Sequence, residues 1–315
     1  EDSGLYFSNG EFSCLLAVDS NAINFSRLPK VDLYGSSFAG GASGYPIMFE
    51  SFNRKEKNNI NIKSKNFTRI VNQKNLQKTK ASYFLPYAGF FVEKLKRDSE
   101  VRNMHFKRKN KIEDYSNFCK KHKIKLMNVE IKDEYLFYGK KLIKEKRKKI
   151  KFFKDISPEK YLNAYKNNFN KIDISYIKKY FENSNFRDNL ILIISLVDDN
   201  FKNSILNFKI DFSGPKPIFI KLKTLESNLS KMDGRKKLLL KCRKESFLNT
   251  VYSKSPWEDL SIGFQCKINR HPNEYNYKFW YHFTNNYITS KNVRAISDCS
   301  NCEKLTQYLD NQIFI

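Results

Sequence analysis

"KVDLYGSSFAGGASGYP", residues 30–46, decides how the first half of this chain reads. An apolar, alternating run ends at Phe38 and gives way to a bare backbone at Gly40, Gly41, Ala42, Ser43 and Gly44. Residues 50–80 that follow are polar, with Phe67, Ile70, Val71 and Leu76 at helical spacing. The segment after them, "ASYFLPYAGFFVE" (81–93), reads as another buried strand with its own Ala-Gly turn. Strand, loop, long helix, strand and loop make an α/β layered pattern.

Upstream, "GLYFS" (4–8) and "EFSCLLAVD" (11–19) are short strands joined by the hairpin-type turn "SNG". The chain opens within this strand pattern, so the sequence is expected to begin inside a domain. Buried strands are predicted over 12–19, 31–37 and 82–86, with the 39–45 loop at the strand ends beside the "PYAGF" turn. A helix over 111–122 and strands over 124–131 and 135–139 complete the first unit.

The character changes after the block "KKLIKEKRKKIKFFK" (140–154), which has nine Lys or Arg against one Glu. A boundary near residue 150 divides a first domain, 1–150, from a second, 151–315. Helices over 157–169 and 174–183 open the second domain, the former introduced by the helix start Ser-Pro-Glu. Three β runs follow ("NLILIISLVDD", "SILNFKIDF" and "PKPIFIKLKT"), then a predicted helix over 234–253, a strand and a terminal helix. This is an α+β unit.

The 315 residues carry a net charge of +25, with 40% hydrophobic and 15% aromatic residues, enough to bury a sizeable core. The excess is mostly lysine and lacks the Arg–aromatic alternation of base-stacking surfaces, so nucleic acid is not the expected partner. An anionic small substrate fits the same charge. The longest apolar run, "NLILIISLV" (189–197), is too short to span a bilayer. With no signal pattern at the start, the expected location is cytoplasmic. The six cysteines are expected to be reduced thiols, since the lone "CSNC" (299–302) has only Cys266, His271 and His282 upstream as further zinc ligands.

A backbone as bare as 40–44 suits two roles. Its amides can form an anion-binding nest, or its small residues can pack a tight turn under a helix. Asp19 has two readings as well: a carboxylate metal ligand at a strand end, or the turn aspartate of "DSN".

"FAGGASGYP" (38–46), "LPYAGFFVE" (85–93) and "PWEDLSIGFQCKINRHPNEYNYKFWYHF" (256–283) resemble the CMP-N-acetylneuraminate hydroxylase family. The order Val-Asp, Arg-Leu-Pro, glycine loop over 15–46 fits the same pattern, while 95–185 matches loosely. The resemblance implies a partial metallo-β-lactamase-like αββα domain over 1–150; the α+β domain that follows also resembles sterol-carrier-like domains through "PWEDLSIGF" and the basic "KINRHP", with an apolar tunnel or a packing role. It implies that Asp19 descends from a metal ligand and that Arg27, Gly40, Gly41, Ser43, Gly44, Tyr87 and Gly89 line the substrate site. In the complete family enzyme iron or zinc, a Rieske 2Fe–2S module and a cytochrome b5-type donor would serve hydroxylation of the N-acetyl group of a CMP-sialic acid. The His-x-His-x-Asp-His cluster and the Rieske Cys/His pairs are absent, and Ser37 stands where the family is expected to place an acidic residue. The four histidines, at 105, 122, 271 and 282, stand apart in sequence. This chain alone is therefore expected to hold no metal tightly and to be inactive, a fragment of an iron-dependent monooxygenase. The alternatives are a metal-dependent hydrolase of a phosphorylated or nucleotide-linked sugar, or a non-catalytic anion-binding remnant.

Overall fold

The computed structural model describes residues 4–18, 20, 23–40, 43–89, 92–130, 133–139, 141–145, 157–225, 229 and 234–285. The chain divides into two compact units. The first comprises 1–42, 55–94 and 98–156; the second takes 157–315 together with two short earlier segments, 43–54 and 95–97.

The first unit is α/β. Strands β1 (Leu5–Ser8), β2 (Ser13–Leu16), β3 (Leu33–Ser37), β4 (Tyr83–Tyr87) and β5 (Lys125–Leu126) lie side by side in chain order. β1 runs antiparallel to β2 through the hairpin at Asn9–Gly10, and the remaining pairings are parallel. Strand alternation sorts the side chains cleanly between two faces. Leu15, Tyr34 and Phe84 face Leu76 of helix α1 (Arg54–Thr79), with Tyr115 and Cys119 of the segment leading into and through α3 (Ser116–Lys121). Cys14, Leu33 and Tyr83 face the other way, toward Met127 and toward Leu142 of the hairpin β6 (Glu134–Tyr138) and β7 (Lys141–Glu145). The Leu142 N–H donates to the Tyr83 hydroxyl at 3.1 Å.

Sequence and structure part company in three places here. Of the apolar residues expected to bury α1, only Leu76 is buried; Phe67 is 68% and Ile70 46% exposed, while Asn61, Asn72 and Asn75 point inward. Tertiary hydrogen bonds to the strand-end loop outweigh the apolar stripe on this helix. A helix that was not predicted, α2 (Ser99–Arg108), precedes the expected 111–122 helix, which is a 3₁₀ turn at 112–115 followed by α3. The basic block begins as strand β7, and its remainder lies outside the described residues.

The second unit starts with helices α4 (Pro158–Asn168), capped by Ser157 as the Ser-Pro-Glu start indicates, and α5 (Ile174–Glu182), capped by Asp173. Its sheet has the order β10 (Ile218–Leu222), β9 (Ser204–Asp211), β8 (Leu190–Val197), β11 (Lys236–Arg243), β12 (Cys266–His271). Only β8 and β11 are parallel to each other. All eight residues of β8 are buried. Its one face packs on α5, on α6 (Lys244–Tyr252) and on α8 (Tyr277–Asn285) through Phe181, Phe247 and Phe283. Trp257, just before α7 (Glu258–Ile262), is fully buried there and donates its indole N–H to the Tyr180 hydroxyl at 2.7 Å.

The predicted 234–253 helix is therefore corrected: its first half is β11 and only its second half is α6. A short run such as "KKLLLK" is ambiguous by periodicity, and two-sided burial between β8 and β12 selects the strand. Cys242 of β11 is paired across the sheet with Cys266, both buried, and burial pushes the Cys242 thiol up. Cys14 and Cys119 are also free thiols; Cys299 and Cys302 lie outside the described residues.

Leu240 is fully buried at the middle of β11, so Leu240→Ala is expected to remove about 2–5 kcal/mol of second-unit stability. Both tryptophans of the chain lie in this unit, so their fluorescence in a urea titration reads it directly. Phe67→Ser on the exposed face of α1 is expected to change stability by no more than about 0.5 kcal/mol. A core-sized loss at Phe67 would contradict the packing described.

Candidate functional site

Parallel pairing brings the carboxyl ends of β2, β3 and β4 to one edge of the first sheet, where open α/β sheets place their ligands. Three chain reversals meet there. Val18 leaves β2 with φ +46°, Gly40 follows β3 with φ +86°, and Ala88 and Gly89 follow β4 with φ +66° and +86°. A left-handed backbone at a β-branched valine and at alanine is sparsely populated, and such strain concentrates at functional sites. The Ser37 N–H donates to Val18 O at 2.9 Å, and the Val18 N–H donates to the Tyr87 hydroxyl at 3.1 Å. The exits of all three strands are thus tied together.

Gly89 is required twice over. Its φ suits glycine, and a Cβ at this position would lie 2.6 Å from the Cβ of Ala39. The loops after β3 and β4 therefore touch, as the two glycine-bearing turns were expected to.

Polar side chains clamp the β3 loop from behind. Asn72 donates to Ser37 O at 3.0 Å and accepts from the Ser36 hydroxyl at 2.9 Å. Phe38 O accepts from Asn110 Nδ2 at 3.1 Å and from the Tyr115 hydroxyl at 3.2 Å. Burial pushes Tyr115 up to about 12, so it stays a neutral donor at ordinary pH.

The remaining predicted site residues are distributed as follows. Arg27 is exposed in a turn whose N–H donates to Asn24 O at 3.1 Å. Ser43 and Gly44 belong to the second unit, where a Cβ on Gly44 would lie 2.6 Å from Ser261 O; close packing against α7 accounts for that glycine. Asp19 and Gly41 lie outside the described residues.

One feature of the first unit has no sequence signature. His105 of α2 is 1% exposed and its Nδ1 lies 2.6 Å from a Glu93 carboxylate oxygen, just past the β4 loop. Arg108, Lys109 and Asn110 are buried nearby. Burial holds His105 below its usual range, the Lys109 and Arg108 charges act in the same direction, and the Glu93 carboxylate opposes them. Burial likewise lowers Arg108 and Lys109, with Glu93 opposing. The neutral imidazole, with Nδ1 close to the Glu93 carboxylate, is the form that burial favours here. Twelve residues separate the partners, a distance no local pattern links.

Among the described residues no group of three His, Cys, Asp or Glu side chains is placed to hold a metal ion. In the second unit Cys266 packs with Cys242 in the core, and His282 Nε2 lies 2.7 Å from Ser184 O. These are structural positions.

The chain is similar over most of its length to curated proteins named cytidine monophosphate-N-acetylneuraminic acid hydroxylase. That of Asterias rubens is 27% identical over 283 residues, which is 84% of this chain and 42% of the relative. That of Macaca mulatta is 29% identical over 316 residues, 92% of this chain and 50% of the relative. The Homo sapiens protein, named as an inactive form, is 29% identical over 291 residues, 84% of this chain and 54% of the relative. The chain thus spans about half the length of these curated relatives. No family model and no solved structure matches. These relatives support the resemblance to this family.

Gly89→Ala is expected to destabilise the first unit by about 1–3 kcal/mol, through the left-handed backbone and the Ala39 contact. Urea denaturation followed by circular dichroism measures it; a change under about 0.5 kcal/mol would show the loops to be loosely apposed. A second expectation concerns pH. With His105 lowered in the folded chain, the unfolded chain takes up the proton first, so stability falls as pH drops below about 6.5. His105→Asn is expected to flatten that slope, read as hydrogen exchange of α2 between about pH 6.5 and 5. An unchanged slope would assign the pH dependence to other groups.

Proposed function

We propose that this chain forms part of a CMP-N-acetylneuraminate monooxygenase-like enzyme, which hydroxylates the N-acetyl group of a CMP-sialic acid. The observation that carries this reading is the contact between the Gly40 and Gly89 loops at one sheet edge, in a chain that aligns with the hydroxylases across both loops. On this reading the first unit is a portion of a metallo-β-lactamase-like domain, a proposal that its mixed, mostly parallel sheet with α1 and α3 on one face supports. The second unit would be the sterol-carrier-like extension.

The role proposed for this chain is substrate recognition. On this proposal backbone amides of the strained loops at the carboxyl edge would donate to a phosphate or carboxylate. Tyr87, whose hydroxyl accepts from Val18, would hold the β2 and β4 exits at a fixed separation. The lysine-rich composition supplies a favourable field for an anionic sugar nucleotide. Iron or zinc, a Rieske cluster and a cytochrome b5-type donor belong to the complete enzyme on this proposal. The described residues do not make a metal site. No helix among the described residues is long and apolar enough to cross a membrane; cytoplasmic placement is part of the proposal.

Calorimetric titration of CMP and of a CMP-linked acidic sugar, at low and moderate salt, tests recognition. Binding is expected for both, and it should weaken as ionic strength screens the basic surface over about 10 Å. Binding that ignores salt, or none under any condition, would remove this chain from substrate recognition.

A further inference from the structure

The second unit contains a pocket of about 320 Å³ that the reading above leaves unassigned. This lies within the range of small-molecule sites. It is lined by Tyr161 and Tyr165 of α4, Asn249 of α6 and Leu260 of α7, and Arg97 and Gln265 contribute polar groups. All of these residues belong to the second unit.

The polar side of the pocket is unusual in its donor count. Gln265 Oε1 accepts from Arg97 Nη2 at 3.3 Å, Arg243 Nη1 at 3.3 Å and the Ser246 hydroxyl at 3.1 Å. A carbonyl oxygen has two lone-pair directions, so three donors share it and none is close. Asp199 takes Arg97 Nη1 at 2.6 Å and also the Lys166 ammonium, while its backbone oxygen accepts from Arg243 Nε at 2.9 Å. Arg97 and Asp259 are the charged residues that line the pocket; Arg243 and Lys166 do not line it, but with them the linked cluster has three cations to the two carboxylates of Asp199 and Asp259. Arg97 is only 10% exposed, and a guanidinium withdrawn from water attracts an anion more strongly than one at the surface.

The lining also presents aromatic surface. Tyr161 and Tyr165 are near-parallel, with ring centroids 6.3 Å apart, and Tyr161 is 62% exposed. We infer that this pocket binds a small aromatic anion, its phosphate or carboxylate against Arg97 and its ring against Tyr161. The inference is independent of the strand-end site in the first unit.

The test uses phenyl phosphate as probe, titrated calorimetrically into the whole chain, with inorganic phosphate as comparator. Phenyl phosphate is expected to bind, and inorganic phosphate at least about tenfold more weakly for want of the ring contact. Tyr161→Ala is expected to weaken phenyl phosphate about five- to tenfold, and Tyr161→Phe to keep it, since the ring face is what matters. Arg97→Lys is expected to weaken it at least about tenfold by losing the planar fork. If Arg97→Lys also lowers the melting temperature, the Tyr161 pair of variants decides, because its exposed ring is remote from the core. Three results would overturn the inference: no binding of phenyl phosphate, equal binding of inorganic phosphate, or binding unchanged by Tyr161→Ala.

Discussion

Parallel pairing of β3 with β4 is the constraint on which the candidate site depends. Parallel strands cannot be joined by a tight turn, so the chain must leave one carboxyl end, cross the sheet and return to the far end of its neighbour. Both strands then finish at the same edge, and the register sets Ser37 opposite Tyr87. The Ala39–Gly89 contact follows from that register, as does the position of the Tyr87 ring against Gly35, where a Cβ would meet it at 3.0 Å. A glycine loop far from the second strand in sequence becomes its neighbour in space.

The two units secure their cores by different means. In the second, β8 is buried along its whole length and surrounded by aromatic rings, among them Trp257 and Phe181 with centroids 5.8 Å apart. That core is non-directional and tolerates adjustment at the level of packing. In the first, much of the inner surface of α1 is asparagine: Asn72 bridges the β3 loop and Tyr115, and Asn75 donates to the Tyr34 hydroxyl at 3.3 Å. Satisfied buried amides add little net stability, yet leaving one unsatisfied costs on the order of 1–3 kcal/mol, so the loop has few alternative positions. Directional clamping of this kind suits a strand-end loop that must present its amides in one arrangement.

The basic composition also takes on a more specific meaning. A formal charge of +25 reads as a diffuse field, and surface lysines account for much of it. Some cations, however, are withdrawn from water: Arg108 and Lys109 near the Glu93–His105 pair, and Arg243 near Asp199. Burying them requires compensating charge or hydrogen bonds, and each group therefore organises several elements around it.

The sequence by itself determined the strand–loop–helix–strand order around residues 30–93, because apolar alternation, a run of small residues and helical spacing are local signals. It also determined the helix start at Ser157, which depends on a side chain a few residues from the amide it caps. The family resemblance was legible for the same reason, being carried by contiguous motifs. Tertiary structure alone decided that "KKLLLK" is a central strand, since only its neighbours β8 and β12 supply the two-sided burial that rules out a helix. It alone turned the asparagines of α1 inward and left Phe67 in water, because their partners come from strands and loops far along the chain. It alone joined Glu93 to His105 and Arg97 to Asp199 and Gln265. Interactions between residues far apart in sequence leave no periodicity, and their energies exist only once the fold has brought the groups within a few ångströms.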